Sequence, residues 1–479
     1  MANELQFSVK SMMDDFGRVF IKDGRIFRAI HESKKNYCLD LLASPLFKEL
    51  LQKKLIPNTT IADFNVPGYA LVLEHEKLTE TLQHEWSFGM LKDAALAVLE
   101  VNAICEKYGY ELKDAHTLNV LFQGSNPMMV DIGSIATKEN PTRWRGYEEF
   151  LSSFMIPLLC WSRNEIYVTR KLLESTFHRM TTIPSQQILE TGLVKILPEL
   201  SGKYYFNFRG RKVLATGNYN RICAFVAAKT NRVIKLISRK DGFAFSYELM
   251  DSLSQHFPYS TIRQTLTSLQ PPSVKSMWQG YHTKFYSANG EVTYSPRFLR
   301  ILSIIKTIEP ELNSVIDLAG NEGYLCFLLK KNTAIKKITL VDYDENAVDI
   351  AYQTAKQNGF IDVNTVLMNM MFTSDITGTA KRLKSDLAIA LAVTHHLILT
   401  TQYSLSAIFE RLKIFSNKYV MIEFMPLGLW ALGETTLPTN PEWYTEAWFK
   451  NEFEKYFNLI LHEKLEDNRI VFFGEIITN

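Results

Sequence analysis

In the stretch ELKDAHTLNVLFQGSNPMMVDIGSI (residues 111–135), Asp114 is followed five residues later by Asn119 and twelve residues beyond that by Asp131. A carboxylate, a carboxamide and a second carboxylate at these intervals suit phosphoryl transfer. One acid takes the proton of an attacking hydroxyl, while the amide and the second acid hold magnesium against phosphate oxygens. A second set lies two hundred residues on. SVIDLAGNEGYL carries Asp317, Gly320, Asn321 and Gly323, and ITLVDYDENAV carries Asp342, 19 residues after Gly323. Small residues after a strand let the backbone approach a nucleotide-like ligand, and an acid closing the next strand can accept hydrogen bonds from both hydroxyls of a ribose. The first turn lacks the G-x-G-x-x-G spacing, which counts against a dinucleotide-dependent dehydrogenase.

These residues need elements to hold them. GRVFIKDGRIFRAI (17–30) reads as a hairpin turning at Lys-Asp-Gly. CLDLLASPLFKELLQKKL (38–55) has a helical pattern that ends before Ile56-Pro57, and YALVLEHE (69–76) reads as a buried strand. A long helix through residues 90–110 leads into the first set. There a strand VLF, a turn QGSNP and a strand MMVDI follow. Residues 145–230 are mostly helical in pattern, with RGYEEFLSSFMIPLLC clearest. From 231 to 300 the pattern is mixed, punctuated by Pro271-Pro272 and Tyr294-Ser295-Pro296. Beyond Ser314 strands alternate with helices: SVIDLA, GYLCFLLKK, KKITLVD, ENAVDIAYQTAKQNG, NTVLMN, DLAIALAV and YVMIEFM. That alternation predicts a parallel sheet flanked by helices. The amphipathic run WYTEAWFKNEFEKYF (443–457) reads as a core helix.

A chain of 479 residues exceeds one ordinary core, so two or three domains are expected. Its hydrophobic fraction of 46% and charged fraction of 22% are those of a soluble globular protein. A net charge of +2 without a Lys/Arg stripe argues against a nucleic-acid partner. The five cysteines, at 38, 105, 160, 223 and 326, form no C-x-x-C pair. They point to reduced thiols in a cytoplasmic protein. The N-terminus lacks a basic start with an apolar core, and LAIALAV (387–393) is far too short for a membrane span.

The C-terminal part, over roughly 275–479, resembles the class I S-adenosylmethionine-dependent methyltransferases. The likeness rests on DLAGNEG (317–323), VDYD (341–344), NMMF (369–372) and LAVTHHL (391–397). It implies an α/β Rossmann-like sheet with flanking helices. By that resemblance Asp317, Gly320, Asn321 and Gly323 line the methionine and sugar of the cofactor, Asp342 holds the ribose, and Tyr343 lies against the adenine. Asn369 and Met370 stand near the adenine edge. Ala319 and Asn321 depart from the family turn, where glycines are usual. His395 and His396, where the fourth strand empties into the crevice, are the candidate general bases; the alternative is that one caps the strand end and the other packs. Glu423 in YVMIEFMP is either catalytic or a buried ion-pair partner. SMWQGYHTKFY (276–286) resembles the segment that folds over the cofactor as a lid, with Tyr281 as its candidate contact.

The N-terminal part resembles protein kinase-like and aminoglycoside phosphotransferase-like folds, an α+β architecture. The resemblance makes Asp114 the catalytic acid/base and Asn119 and Asp131 the Mg2+ ligands beside ATP, with Asp131-Ile132-Gly133 in the place of Asp-Phe-Gly. A Gly-rich phosphate loop and the usual Lys are missing; Arg28 takes a plausible strand position with Glu49 as its helix partner. The implied domains are 1–230, kinase-like (small lobe about 1–75, large lobe about 76–230), a helical linker and cofactor lid at 231–300, and the methyltransferase at 301–479. Joined domains of these two kinds resemble bacterial enzymes of surface-glycan and nodulation-factor assembly. The expectation is a methyltransferase acting on a small molecule or glycan, whose kinase-like domain phosphorylates or binds the acceptor. The alternatives are a protein or nucleic-acid methyltransferase and a non-catalytic assembly module.

Overall fold

Asp23 and Gly24 both take left-handed backbone, at φ 52° and 75°, in the computed structural model, so the first hairpin turns where expected. The structure describes residues 5, 7–141, 144–177, 204–208, 211–215, 259–276, 278–282, 293–372, 378–430 and 436–477. Strand β1 (Gly17–Lys22) pairs with β2 (Arg25–Ile30), Gly17 opposite Ile30 and Lys22 opposite Arg25. With β3 (Thr59–Ile61) and β4 (Leu71–His75) they make an antiparallel sheet in the order β1-β2-β4-β3.

The single helix expected over 38–55 is two, Lys35–Ala43 and Pro45–Gln52. Proline has no N–H to continue a helix but suits the first position of a new one. Ser44 turns extended and its Oγ accepts the Phe47 N–H at 3.1 Å, capping the second helix. The long helix, Phe88–Lys107, is capped in the same way by Ser87. After it come β5 (Tyr110–Leu112), β6 (Val120–Gln123), β7 (Asn126–Met129) and β8 (Ile135–Thr137), paired β5 with β8 and β6 with β7. These pairings draw two loops together: Lys113 N donates to Ser134 O and Val130 N to Asn119 O, each at 2.8 Å. Residues 147–162 and 166–177 are helical as expected. Of the stretch 145–230 read as mostly helical, residues 178–203, 209–210 and 216–230 lie outside the described residues, and β9 (Tyr204–Phe208) and β10 (Arg211–Ala215) form an antiparallel pair where helix was expected. The aromatic residues of β9 favour a pleated strand over a helix.

The C-terminal sheet has seven strands: β11 (Ser314–Leu318), β12 (Lys337–Asp342), β13 (Val363–Leu367), β14 (Ser385–Ala390), β15 (Ser416–Phe424), β16 (Phe457–Glu466) and β17 (Arg469–Ile476). Their order is β13-β12-β11-β14-β15-β17-β16, with the first five parallel. β17 runs antiparallel to both its neighbours. The five parallel strands are almost wholly buried, which explains their continuous apolar runs. β16 alternates half-exposed positions at the sheet edge, so it carries no comparable signal in sequence.

The two halves meet along the helix Glu345–Gln357. Asp349 Oδ1 accepts from Ser87 Oγ at 2.7 Å and from Gly89 N at 2.6 Å, at the start of the long helix. A Cβ on Gly89 would lie 2.7 Å from that same carboxylate oxygen, so only glycine allows this approach. Asp93 Oδ2 accepts from Tyr352 OH (2.7 Å) and Lys356 Nζ (2.6 Å). Tyr352 itself is buried within the N-terminal hydrophobic core. Nearby, Arg382 donates to the buried Glu85 at 2.6 Å. Among the described residues no helix is long and apolar enough to cross a membrane.

Candidate functional site

Strand order reverses between β11 and β14, and in open α/β sheets ligands bind outside the carboxyl ends of the strands at such a point. The turn leaving β11 ends there. Ala319 and Asn321 adopt φ of 68° and 50°, and Gly323 follows at 82°. Left-handed backbone costs a non-glycine residue about 1–2 kcal/mol and persists where the surroundings fix it. Here Ala319 N and Gly320 N both donate to Val341 O, at 2.8 and 3.0 Å. Asn321 N donates to Asp342 Oδ2 at 2.8 Å. The turn thus keeps a glycine-like path without two of the glycines. Gly320 is needed, because a Cβ there would lie 2.9 Å from Asp317 Oδ2.

Asp317 and Asp342 close adjacent strands and are both buried. Burial, reinforced by the Asp342 carboxylate, pushes Asp317 up to about 7; its one hydrogen-bond contact among the described residues is the Cys326 thiol at 3.8 Å. Burial raises Asp342 to about 6, against the pull of the Asp344 and Asn321 N–H groups. Both pKa values lie above the ordinary 3.8. Their contribution to stability is therefore complete below that value and lost as pH rises through about 6 to 7. We expect the Tm of the ligand-free protein to fall by a few degrees through that window, each pKa unit being worth about 1.4 kcal/mol. The slope should shrink in Asp317→Asn, and equal slopes in the two proteins would exclude the pair as its source.

A strap of chain, 274–282, crosses this turn. Trp278 O accepts from Asn321 Nδ2 at 3.0 Å, and its indole N–H donates to Tyr343 OH at 2.7 Å. Gly280 N donates to Glu322 Oε1 at 2.6 Å, and Asn346 Nδ2 to Val274 O at 2.8 Å. Tyr281 lies on the strap, half exposed, with its ring edge-on to His282. Sequence reasoning singled out Tyr281 and missed Trp278 and Glu322. Glu322 was legible as the lone acid between Asn321 and Gly323. Asn321 Oδ1 is buried without a hydrogen-bond partner among the described residues. Tyr343 is exposed past the end of β12, as is Asn369 past β13, where its Oδ1 accepts the Met371 N–H at 2.9 Å. Met370 is buried under the sheet end.

Beyond β14, Ala392 takes φ 53° and the chain enters a short helical turn carrying His395 and His396. Their ring centroids stand 4.1 Å apart, and the His396 ring meets Trp278 edge-on at 4.9 Å. Burial first, then His396 and Arg469, depress His395 to about 3, so it is neutral, and its Nδ1 has no hydrogen-bond partner among the described residues. His396 is half buried and depressed for the same main reason. Glu423 is fully buried and held by one edge of the Arg297 guanidinium, Nε donating to Oε1 at 2.6 Å and NH2 to Oε2. It also accepts the Ala392 N–H at 2.9 Å, tying the histidine turn to β15. Arg297, the ion-pair partner, carries no motif signal in sequence.

In the N-terminal part, loops 113–119 and 130–134 set Asn119 beside the Asp114 backbone carbonyl and Ser134, and Ser134 beside Asp131. Asp131 Oδ1 accepts from Arg28 NH1 at 2.7 Å and Gly133 N at 3.1 Å, and Oδ2 from Ser134 Oγ at 2.6 Å. Burial raises the Asp131 carboxyl, but Arg28 and these hydrogen bonds outweigh it and hold it below the usual range. Asn119 Nδ2 donates to Ser134 Oγ at 3.1 Å. Arg28 thus pairs with Asp131 and not, as expected, with Glu49, which accepts from Lys107 Nζ and Tyr108 OH at 2.7 and 2.8 Å. Glu49 thus faces the C-terminal end of the long helix. Among the described residues no three His, Cys, Asp or Glu side chains converge as a metal site.

No family model matches the chain. It is similar to the nodulation protein NoeA of Rhizobium meliloti (strain 1021), 24% identical over 443 residues, covering 87% of this chain and 84% of that one. Among solved structures, the methyltransferase domain of bacterial CtHen1-C covers 38% of this chain and 97% of its own, at 17% identity and TM-score 0.30. Magnesium protoporphyrin IX methyltransferase (ChlM) from Synechocystis PCC 6803 with bound SAM covers 43% and 99%, at 13% identity and TM-score 0.29. WbdD, crystallised with a kinase inhibitor, covers 37% and 40%, at 16% identity and TM-score 0.27. Likenesses this slight carry no weight in the functional argument.

Proposed function

We propose that the C-terminal half is an S-adenosylmethionine-dependent methyltransferase acting on a small molecule or glycan in the cytoplasm. The observation that carries the reading is the buried pair Asp317 and Asp342 beside the unpartnered Asn321 Oδ1, all at the switch point of the sheet. Buried carboxylates and bare acceptors are costly without a partner. A cationic ligand rich in hydroxyl and amino donors would satisfy them, and S-adenosylmethionine is such a ligand. When bound it supplies an electrophilic methyl group. Asp342 keeps lone pairs free for two ribose hydroxyls, Asp317 and Asn321 face the charged end, and Tyr343, Asn369 and Met370 flank the base. Tyr281 and Trp278 lie on the strap that shields the site from water.

His396 is the better candidate to accept the acceptor's proton, because it is half open while His395 is buried beside it. Glu423 is spent on Arg297 and positions the histidine turn through Ala392. The N-terminal half, kinase-like in its loops, serves in this reading to hold the acceptor. A dehydrogenase reading is disfavoured by the edge hairpin of β16 and β17, where the dinucleotide fold continues in parallel. Calorimetric titration should show one S-adenosylmethionine site per chain and none for NAD. Absence of saturable heat with S-adenosylmethionine would overturn the assignment.

A further inference from the structure

The kinase-like resemblance of residues 111–135 implies a divalent ion held by Asn119 and Asp131. The side chains that would hold it are arranged otherwise. Three protein donors engage the Asp131 carboxylate: Arg28 NH1 and Gly133 N on Oδ1, and Ser134 Oγ on Oδ2. The Ser134 hydroxyl has one proton, and it goes to Asp131 Oδ2 at 2.6 Å. Ser134 Oγ must then accept from its second neighbour, Asn119, 3.1 Å away, so Asn119 presents its NH2 group. The same NH2 lies 3.5 Å from the Asp114 carbonyl oxygen, a second acceptor that requires a donor there. With its NH2 so engaged, Asn119 keeps its carbonyl oxygen as an oxygen donor of the kind Mg2+ takes, so the fit of a metal turns on Asp131.

The positive charge in the site comes from the chain itself. Arg28 is 6% exposed, lies on the face of β2 that looks onto the loops, and also stands 3.5 Å from Asp14. Lys113 beside it is engaged with Asp15 at 2.9 Å. His75, diagonal to Arg28 across the β2–β4 pairing, is buried and neutral, depressed to about 3 by burial and then by Arg28. A divalent ion at Asp131 would meet the guanidinium charge at close range and compete with Arg28 for Oδ1.

We propose that Arg28 holds the place of the metal, so that the N-terminal cleft works without a divalent cation, as a binding site and not as a magnesium-dependent phosphotransferase. This does not depend on the methyl-donor assignment, which is tested by its own titration. Mn2+ binding to the full chain, followed by electron paramagnetic resonance, is the experiment. The wild-type protein should show no saturable Mn2+ site in this cleft, with or without ATP. Arg28→Ala should gain one Mn2+ per chain, and Arg28→Ala/Asp131→Asn should lose it again. S-adenosylmethionine affinity and Tm serve as folding controls. A wild-type Mn2+ site that disappears in Asp131→Asn overturns the proposal, and this comparison stands even where Arg28→Ala fails to fold. A folded Arg28→Ala chain that gains no site overturns it too.

Discussion

Replacing Asp342 with alanine is expected to weaken S-adenosylmethionine binding at least ~100-fold while leaving the N-terminal half folded. A hydrogen bond to a charged acceptor is worth about 1.5–3 kcal/mol, and a ribose offers two hydroxyls to this carboxylate. Even the lower figure, taken twice, gives about 3 kcal/mol, or about 150-fold in Kd. The carboxylate also holds the turn, through the N–H groups of Asn321 (2.8 Å) and Asp344 (2.9 Å). Asp342→Asn separates the two roles, since its carbonyl oxygen can keep one backbone contact while the charge is lost. Isothermal calorimetry gives the affinity, and the Tm reports on folding. Unchanged affinity in the alanine variant would remove Asp342 from the cofactor site and, with it, the ribose assignment.

The second large effect concerns stability. Arg297→Met should destabilise the chain by about 3–5 kcal/mol, because it leaves the Glu423 charge buried without its partner. Glu423 is fully buried, and its nearest remaining cation, Arg469, stands off at 3.7 Å. Placing apolar residues at both positions, Arg297→Met with Glu423→Met, should recover most of the loss, since the desolvation cost then vanishes together with the attraction. Denaturant titration measures both. A single variant within 1 kcal/mol of wild type, or a double variant no better than the single, would refute this account of the pair.

The five parallel strands were legible because they are buried on both faces and read as unbroken apolar runs, three of them carrying Asp317, Asp342 and Glu423 at or near their ends; the edge hairpin of β16 and β17 was not. The motif turn was legible from residue size alone, yet its glycine-like path at Ala319 and Asn321 was not, since backbone contacts from β12 enforce it. Local pattern misled where tertiary partners decide. Ser44-Pro45 cuts a helix whose apolar spacing runs straight through, and β9 with β10 sits in a region of helical pattern. The choice of Asp131 over Glu49 by Arg28 depends on which face of β2 turns toward the loops, and no local spacing encodes it. Trp278 was one aromatic residue among several in its segment; only its contacts to Asn321, Tyr343 and His396 set it apart.

The helix Glu345–Gln357 begins beside Asp342 and spends its other face on the opposite half of the molecule. Asp349 caps a foreign helix, and Tyr352 fills a foreign core. Neither half can therefore be cut out as a clean part. A fragment starting near residue 293 would turn a buried tyrosine ring and a desolvated carboxylate out to water, and the N-terminal piece would lose the cap over Gly89. Inheritance of such a fusion is all or none: drift at Gly89 or Asp93 is answerable to residues more than two hundred positions away.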